Sequence, residues 1–227
     1  MTQKKGKFIV IDGSDGSGKK TQSDLLIESL EKAGYKTAYY DFPDYDSFFG
    51  KMVGRYLNGE FGEADQVSPY LGSLLYAGDR WQASKQIEKD LSLGKIVISN
   101  RYTQSNMGHQ AAKIKDLDEK EKYLKWLEEL EFNIYKIPKP DLVLFLHVPV
   151  EISQNLFAGK GERKYTKAIK DIHEGNVDFM KRSVNEYLRL AKKYPEWRRI
   201  DCVEKQTLLS KEEIADRVYL MIKKELL

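Results

Sequence analysis

The chain has 227 residues, 41% hydrophobic and 32% charged, with a formal net charge of +3 and one cysteine, Cys202. That length suits one α/β domain with a real core, and the composition excludes a disordered chain or a membrane protein. The near-balanced charge gives no reason to expect a nucleic-acid partner. A lone cysteine excludes an internal disulfide framework and a cysteine zinc site, and fits a reducing compartment. The basic start, Met1–Lys7, runs into Phe8-Ile9-Val10-Ile11, too short an apolar run for a secretion signal. The longest apolar run, Leu142–Val150, is broken by His147 and Pro149 and cannot span a bilayer. A cytoplasmic enzyme is the expectation.

In chain order, short apolar runs alternate with helical periodicities. Residues Lys7–Asp12 read as a buried strand, and Leu25, Leu26, Ser29, Leu30 and Ala33 form a helical stripe that stops at Gly34. Thr37–Asp41 reads as a second strand. Ser68-Pro69 has the form of an N-cap followed by proline at the first helical position, opening a helix through Leu71, Leu74, Leu75 and Trp81. Gly94 ends that region before a third strand, Ile96–Ile98. A charged helix is expected from about Glu119 to Tyr135, ended by Pro138 and Pro140. Leu142–Val148 reads as the fourth strand and Arg198–Cys202 as the fifth, with an amphipathic helix marked by Val177, Met180, Val184, Leu188 and Ala191 between them. Ser210 with Glu213 is a capping box for the last helix. Such alternation predicts a parallel sheet covered by helices on both faces, with ligands at the carboxyl ends of the strands.

The chemistry falls just after the first strand. Gly13-Ser14-Asp15-Gly16-Ser17-Gly18-Lys19-Lys20-Thr21 leads directly into a helix. Glycines let the backbone turn its N–H groups toward a polyphosphate, and the helix start adds a favourable dipole. Lys19 stands where the motif's lysine reaches the β- and γ-phosphates. Residues 13–21 are therefore expected to bind ATP, with Mg²⁺ as its metal. One position departs. The motif has Ser or Thr after the lysine as a metal ligand, and Lys20 offers an ammonium, which cannot ligate a cation. Thr21 brings its hydroxyl one residue late. Asp12 and Asp15 remain as carboxylates that can organise the metal through water.

Beyond this loop the chain resembles the thymidylate kinases in five separated segments. The loop carries Asp15 in that family's Gly-x-Asp form; Phe42-Pro43 follows the second strand; Tyr76-Ala77-Gly78-Asp79-Arg80-Trp81 lies on the next helix; Asn100-Arg101-Tyr102 follows the third strand and continues through Ser105 and Asn106; and Lys160–Glu174 matches the lid, with Asp171-x-x-Glu174. The resemblance implies a three-layer P-loop kinase fold over residues 1–227, with a five-stranded parallel sheet ordered 2-3-1-4-5 and a lid at about 158–174. It implies transfer of the ATP γ-phosphoryl group to dTMP, giving dTDP for dTTP biosynthesis, and a homodimer. In it, Asp15 contacts the sugar, Tyr76, Arg80 and Asn106 read thymine, and Arg101 holds the acceptor phosphate. Phe42, Pro43 and Ser105 line the same site, and His109 stands where the family often has an aromatic near the base. Glycine at position 16 and a basic lid resemble the bacterial subgroup, whose catalytic arginine comes from the lid. Arg163, among Lys160, Lys164, Lys167 and Lys170, is the choice for that role; catalysis would then rest on Lys19, Arg101 and Arg163.

Other residues depart from the family. Asn100 stands where an aspartate is usual, His147 where the fourth strand often ends in Asp, and Tyr45 where some members have a phosphate-binding arginine. His109, His147 and His173 lack metal-ligand spacing, and Tyr123 and Trp126 read as helix packing. Two other readings stay open on sequence: another nucleotide or deoxynucleoside kinase, and a nucleotide-binding protein that has lost catalysis.

Overall fold

The computed structural model describes residues 5–63, 66–157 and 177–226. The strands β1 (Lys7–Asp12), β2 (Thr37–Asp41), β3 (Ile96–Asn100), β4 (Leu142–His147) and β5 (Trp197–Asp201) form one parallel sheet in the order β2-β3-β1-β4-β5. The central strand is buried on both sides, which is why it reads as an unbroken apolar run rather than an alternating one. Phe8 and Val10 face one cluster with Val97, Val143 and Phe145. Ile9 and Ile11 face the other with Ile98, Leu144 and Leu146.

The helices are α1 (Lys19–Lys32), α2 (Phe48–Leu57), α3 (Pro69–Ser92), α4 (Thr103–His109), α5 (Leu117–Glu128), α6 (Val150–Phe157), α7 (Val177–Lys193) and α8 (Lys211–Glu225). Leu26 and Leu30 of α1, with Ile214, Val218 and Ile222 of α8, cover the Ile9 face. Ile87, Met107, Tyr123, Leu127, Tyr187 and Leu190, from α3, α4, α5 and α7, cover the Phe8 face. The expected three layers and strand order are present.

The expected caps hold two of these helices. Ser68 Oγ accepts from the Tyr70 amide with Pro69 opening α3, and Ser210 and Glu213 exchange backbone and side-chain bonds at the start of α8. By contrast α1 begins at Gly18, left-handed at φ 82°, and no side chain caps it. That is the condition an anion-binding helix start needs.

Three features differ from the sequence expectation. The charged helix is α-helical only to Glu128 and then widens into a π turn, Glu129–Ile134, with the Tyr135 amide bonded to the Leu130 carbonyl. The wider turn carries Glu131 fully into the interior. Helix α2 was not expected, because Gly50 and Gly54 dilute its apolar stripe; a Cβ on Gly50 would lie 1.7 Å from the Asp44 carbonyl oxygen. A short hairpin, β6 (Val203–Glu204) with β7 (Thr207–Leu208), also follows the last parallel strand. Cys202 is the buried thiol that its isolation suggested, its pKa pushed up to about 12 by burial.

Candidate active site

The motif-bearing segments meet where β1, β2 and β3 end. In the loop between β1 and α1, Lys19 is almost buried and its Nζ donates to the carbonyls of Gly13 at 3.1 Å and Ser14 at 2.8 Å. The lysine thus arches the loop over itself. Asp15, Gly16, Ser17, Gly18, Lys19, Lys20 and Thr21 line the wider of two adjoining cavities, while Gly13 and Ser14 serve as the carbonyl anchors behind it. Leu208 of β7, the following Leu209, and Lys211 and Ile214 of α8 also line it. Nothing in the sequence marked those residues for the site.

The second cavity is lined by every residue that the sequence assigned to the acceptor: Asp15, Phe42, Pro43, Tyr76, Arg80, Arg101, Ser105, Asn106 and His109. Tyr45, Leu57, Tyr102 and Gln110 complete it. Asp15, Phe42, Pro43, Tyr45 and Arg101 belong to both cavities, so the two sites share a wall.

Arg101 is the pivot of that wall. Its backbone is left-handed at φ 64°, uncommon for a side chain this bulky. Two bonds hold it there: its amide donates to the Ile11 carbonyl at 3.0 Å, and Ser99 Oγ donates to the Arg101 carbonyl at 2.6 Å. The side chain is thereby turned from the sheet edge into the cavity. Its guanidinium pairs with Asp15, and Nη1 lies 3.4 Å from Ser105 Oγ and 3.3 Å from His109 Nε2. Burial works against the charge, but the Asp15 and Asp12 carboxylates outweigh it and raise the pKa, so Arg101 is a fixed cation. His109 is itself held by Ser183 at 3.0 Å from Nδ1 and packs on Phe179 and Tyr187 of α7.

Arg80 is buried, 1% exposed, and its Nε and Nη2 each donate to Glu131 at 2.6 Å. Arg80 lines the cavity beside Tyr76, while Glu131 lies behind it in the interior, with Thr103 Oγ1 adding a bond to Glu131 at 2.9 Å. Nη1 is the guanidinium nitrogen that Glu131 does not engage. Asn106 donates to the Ser73 carbonyl at 3.3 Å, and Tyr123 meets Ser73 Oγ at 2.6 Å. The packing role expected of Tyr123 is therefore observed.

Of the carboxylates proposed to organise a metal, Asp12 is fully buried and bonded to the Gly13 amide, Ser105 and Tyr187; it is not among the residues lining either cavity. Asp15 is committed to Arg101. Lys20 turns outward, paired with Asp24 and 5.1 Å above the Tyr39 ring. No cluster of three or more His, Cys, Asp or Glu side chains forms a metal cage among the described residues. The oxygen-bearing side chains on the wider cavity wall include Asp41, Asp44, Asp46, Asn100, Thr21 and Ser17, whose buried hydroxyl has no hydrogen-bond partner among the described residues. Such a set fits a strongly hydrated Mg²⁺ held through water and phosphate oxygens, and does not fit a dehydrated metal. Arg163, His173 and the basic run Lys160–Lys170 lie outside the described residues.

A strand that empties into a lysine-closed glycine loop, within a sheet of this order, is the architecture of the P-loop kinases, and the neighbouring cavity gives this one room for an acceptor beside the loop. The family model described as thymidylate kinase matches residues 11–214. A probable thymidylate kinase of Thermococcus onnurineus is 34% identical over 225 residues, covering 97% of this chain and 98% of its own. The thymidylate kinase of Schizosaccharomyces pombe is 29% identical over 194 residues, covering 86% and 81%. Among solved structures, a thymidylate kinase from Candida albicans superposes with a TM-score of 0.73 at 25% identity, covering 97% of this chain and 92% of that one. The chain belongs to the thymidylate kinase family.

Proposed function

We propose that the chain transfers the γ-phosphoryl group of ATP to dTMP, releasing ADP and dTDP. The observation that carries this reading is the shared wall: Arg101 and Asp15 border both the loop cavity and the Tyr76–Asn106 cavity, so two bound nucleotides would meet across them. The loop amides and Lys19 hold the donor phosphates. Arg101, a fixed cation, takes the acceptor phosphate, which suits its forked guanidinium. Tyr76, Arg80 Nη1 and Asn106 face the base, and Asp15 exchanges part of its pairing with Arg101 for the sugar hydroxyl.

The acceptor needs no general base. A phosphate monoester has a second pKa of about 6 and is mostly dianionic at neutral pH. One of its oxygens attacks the γ-phosphorus, the bond to the β,γ-bridging oxygen breaks, and ADP leaves with that electron pair. What the chain contributes is alignment and charge neutralisation by Lys19 and Arg101. Asp41, Asp44, Asp46 and Ser17 would hold a nucleotide-borne Mg²⁺ through water, and the ion would supply neutralisation of the charge that develops on the phosphates. Arg163 is proposed to add a further cation from the lid, the chain is proposed to act as a homodimer, and its place is proposed to be the cytoplasm. No helix among the described residues is long and apolar enough to cross a membrane.

Coupled ADP release, run with a panel of nucleosides and monophosphates and with varied Mg²⁺, tests the reading. Turnover fastest with dTMP and dependent on Mg²⁺ is expected. Faster turnover with another acceptor moves the substrate assignment, and binding of both nucleotides without ADP release sinks the catalytic one.

A further inference from the structure

We propose that the carboxylate organising the nucleotide-borne Mg²⁺ is Asp41 on β2, one strand away from position 100, where the resemblance leads one to expect an aspartate and Asn100 stands. The inference rests on the reading of the loop cavity as the ATP site. The two residues are Cα partners in the parallel register of β2 and β3 and both line that cavity. Asn100 Nδ2 donates to Asp41 Oδ1 at 2.7 Å, and the Tyr39 hydroxyl donates to Asp41 Oδ2 at 3.1 Å. The carboxylate is therefore oriented from two sides.

A second observation points to a ligand. Asn100 is 8% exposed, and its Oδ1 is a buried acceptor with no hydrogen-bond partner among the described residues. A buried acceptor left unpaired is costly, and such atoms are ordinarily satisfied by water or an ion. With Nδ2 given to Asp41, the amide keeps Oδ1 buried within the wall of the loop cavity, and Asp41 is the exposed member of the pair. A carboxylate fixed in orientation on that wall can accept from metal-bound water, the mode by which Mg²⁺ is commonly held.

Lys20 fits the same arrangement. Its ammonium, paired with Asp24 and lying over the Tyr39 ring, braces the residue whose hydroxyl holds Asp41. An aspartate at position 100 would set two carboxylates in register on adjacent strands, and the amide avoids that repulsion.

Calorimetric titration of the full chain with ATP, in Mg²⁺ and in EDTA, tests the inference without reference to turnover. Wild-type protein is expected to bind ATP more tightly with Mg²⁺. In Asp41→Asn the Mg²⁺-linked gain should fall about 10–100-fold, as for other residues that hold a metal through its ligands, while affinity in EDTA stays level or tightens. The exchanged pair, Asp41→Asn with Asn100→Asp, keeps one amide and one carboxylate and should recover the gain. An unaltered gain in Asp41→Asn overturns the inference, as does equal weakening with and without metal. Manganese spin resonance on the single variant gives a second readout, where Mn²⁺ held as in wild type overturns it. Wild-type protein that binds ATP with no metal-linked gain overturns the inference alone, and failure to bind ATP at all overturns the functional reading with it.

Discussion

Tyr187 donates its hydroxyl proton to Oδ1 of Asp12 at 2.8 Å, fastening α7 to the end of β1 across 175 residues of sequence. Burial first, and the Asp12 charge second, push the Tyr187 hydroxyl well above the usual phenol range, so it stays a donor. Its ring stacks on Phe145 with centroids 5.1 Å apart and lies where a Cβ on Gly108 would come within 2.3 Å. Asp12 in turn binds Ser105, which neighbours Arg101, so the helix, the loop base and the acceptor wall are one hydrogen-bonded unit.

Tyr187→Phe keeps the ring and deletes one bond to a buried carboxylate. Bonds to charged groups are worth about 1.5–3 kcal/mol, and urea unfolding should show a loss of that order with native far-ultraviolet dichroism. No loss would mean that Asp12 is satisfied by Gly13 and Ser105 alone.

The Arg80–Glu131 pair calls for a double-mutant cycle. Arg80→Met or Glu131→Leu each leaves a lone charge in the interior and should cost about 3–5 kcal/mol. The double variant should lose less than the sum of the singles. Additive losses would show that the two charges are not coupled.

Arg101→Lys preserves charge and removes the fork. The expected result is a kcat/KM for dTMP lower by about 10–150-fold, the equivalent of about 1.5–3 kcal/mol, with the KM for ATP little changed. Equal deterioration toward both nucleotides would place Arg101 with the loop rather than with the acceptor.

Asp201 gives a stability change with pH. His147 Nδ1 lies 2.9 Å from Asp201 Oδ1, and Arg199 donates to Oδ2 at 2.9 Å. Burial opposes the charge, yet bonds from His147 and Arg199 lower the carboxyl's pKa overall. The unfolded chain therefore takes up this proton first as pH falls. The stabilisation is fully present above the ordinary carboxylate pKa of about 4 and disappears as pH drops below it. Wild type should exceed Asp201→Asn in urea midpoint at pH 6–7, and the two should converge toward pH 3. A gap that persists at pH 3 would assign the difference to packing.

The sheet was legible because β1, β3 and β4 are apolar on both faces and the caps at Ser68 and Ser210 are local signals. The acceptor residues were legible through family resemblance, and they converge on one cavity. Glu131 was not, because a π turn has no sequence period of its own and the residue reads as one more charge on a charged helix. The β6–β7 hairpin escaped because its turn residues, Lys205 at φ 46° and Gln206 at φ 64°, are neither glycine nor asparagine. That omission hid the Leu208–Leu209 wall of the loop cavity. Asp41 was read only as the end of a strand, since its link to Asn100 exists only once β2 lies beside β3.

The buried ion pair under the acceptor cavity also bears on how this family can diverge. A uniformly apolar floor is a sound alternative to Arg80 and Glu131. Either first step toward it strands a charge in the interior, so the two solutions are separated by an intermediate that selection would remove. Lineages that began with the pair are expected to keep both residues together or to exchange both, even where the base they recognise has changed.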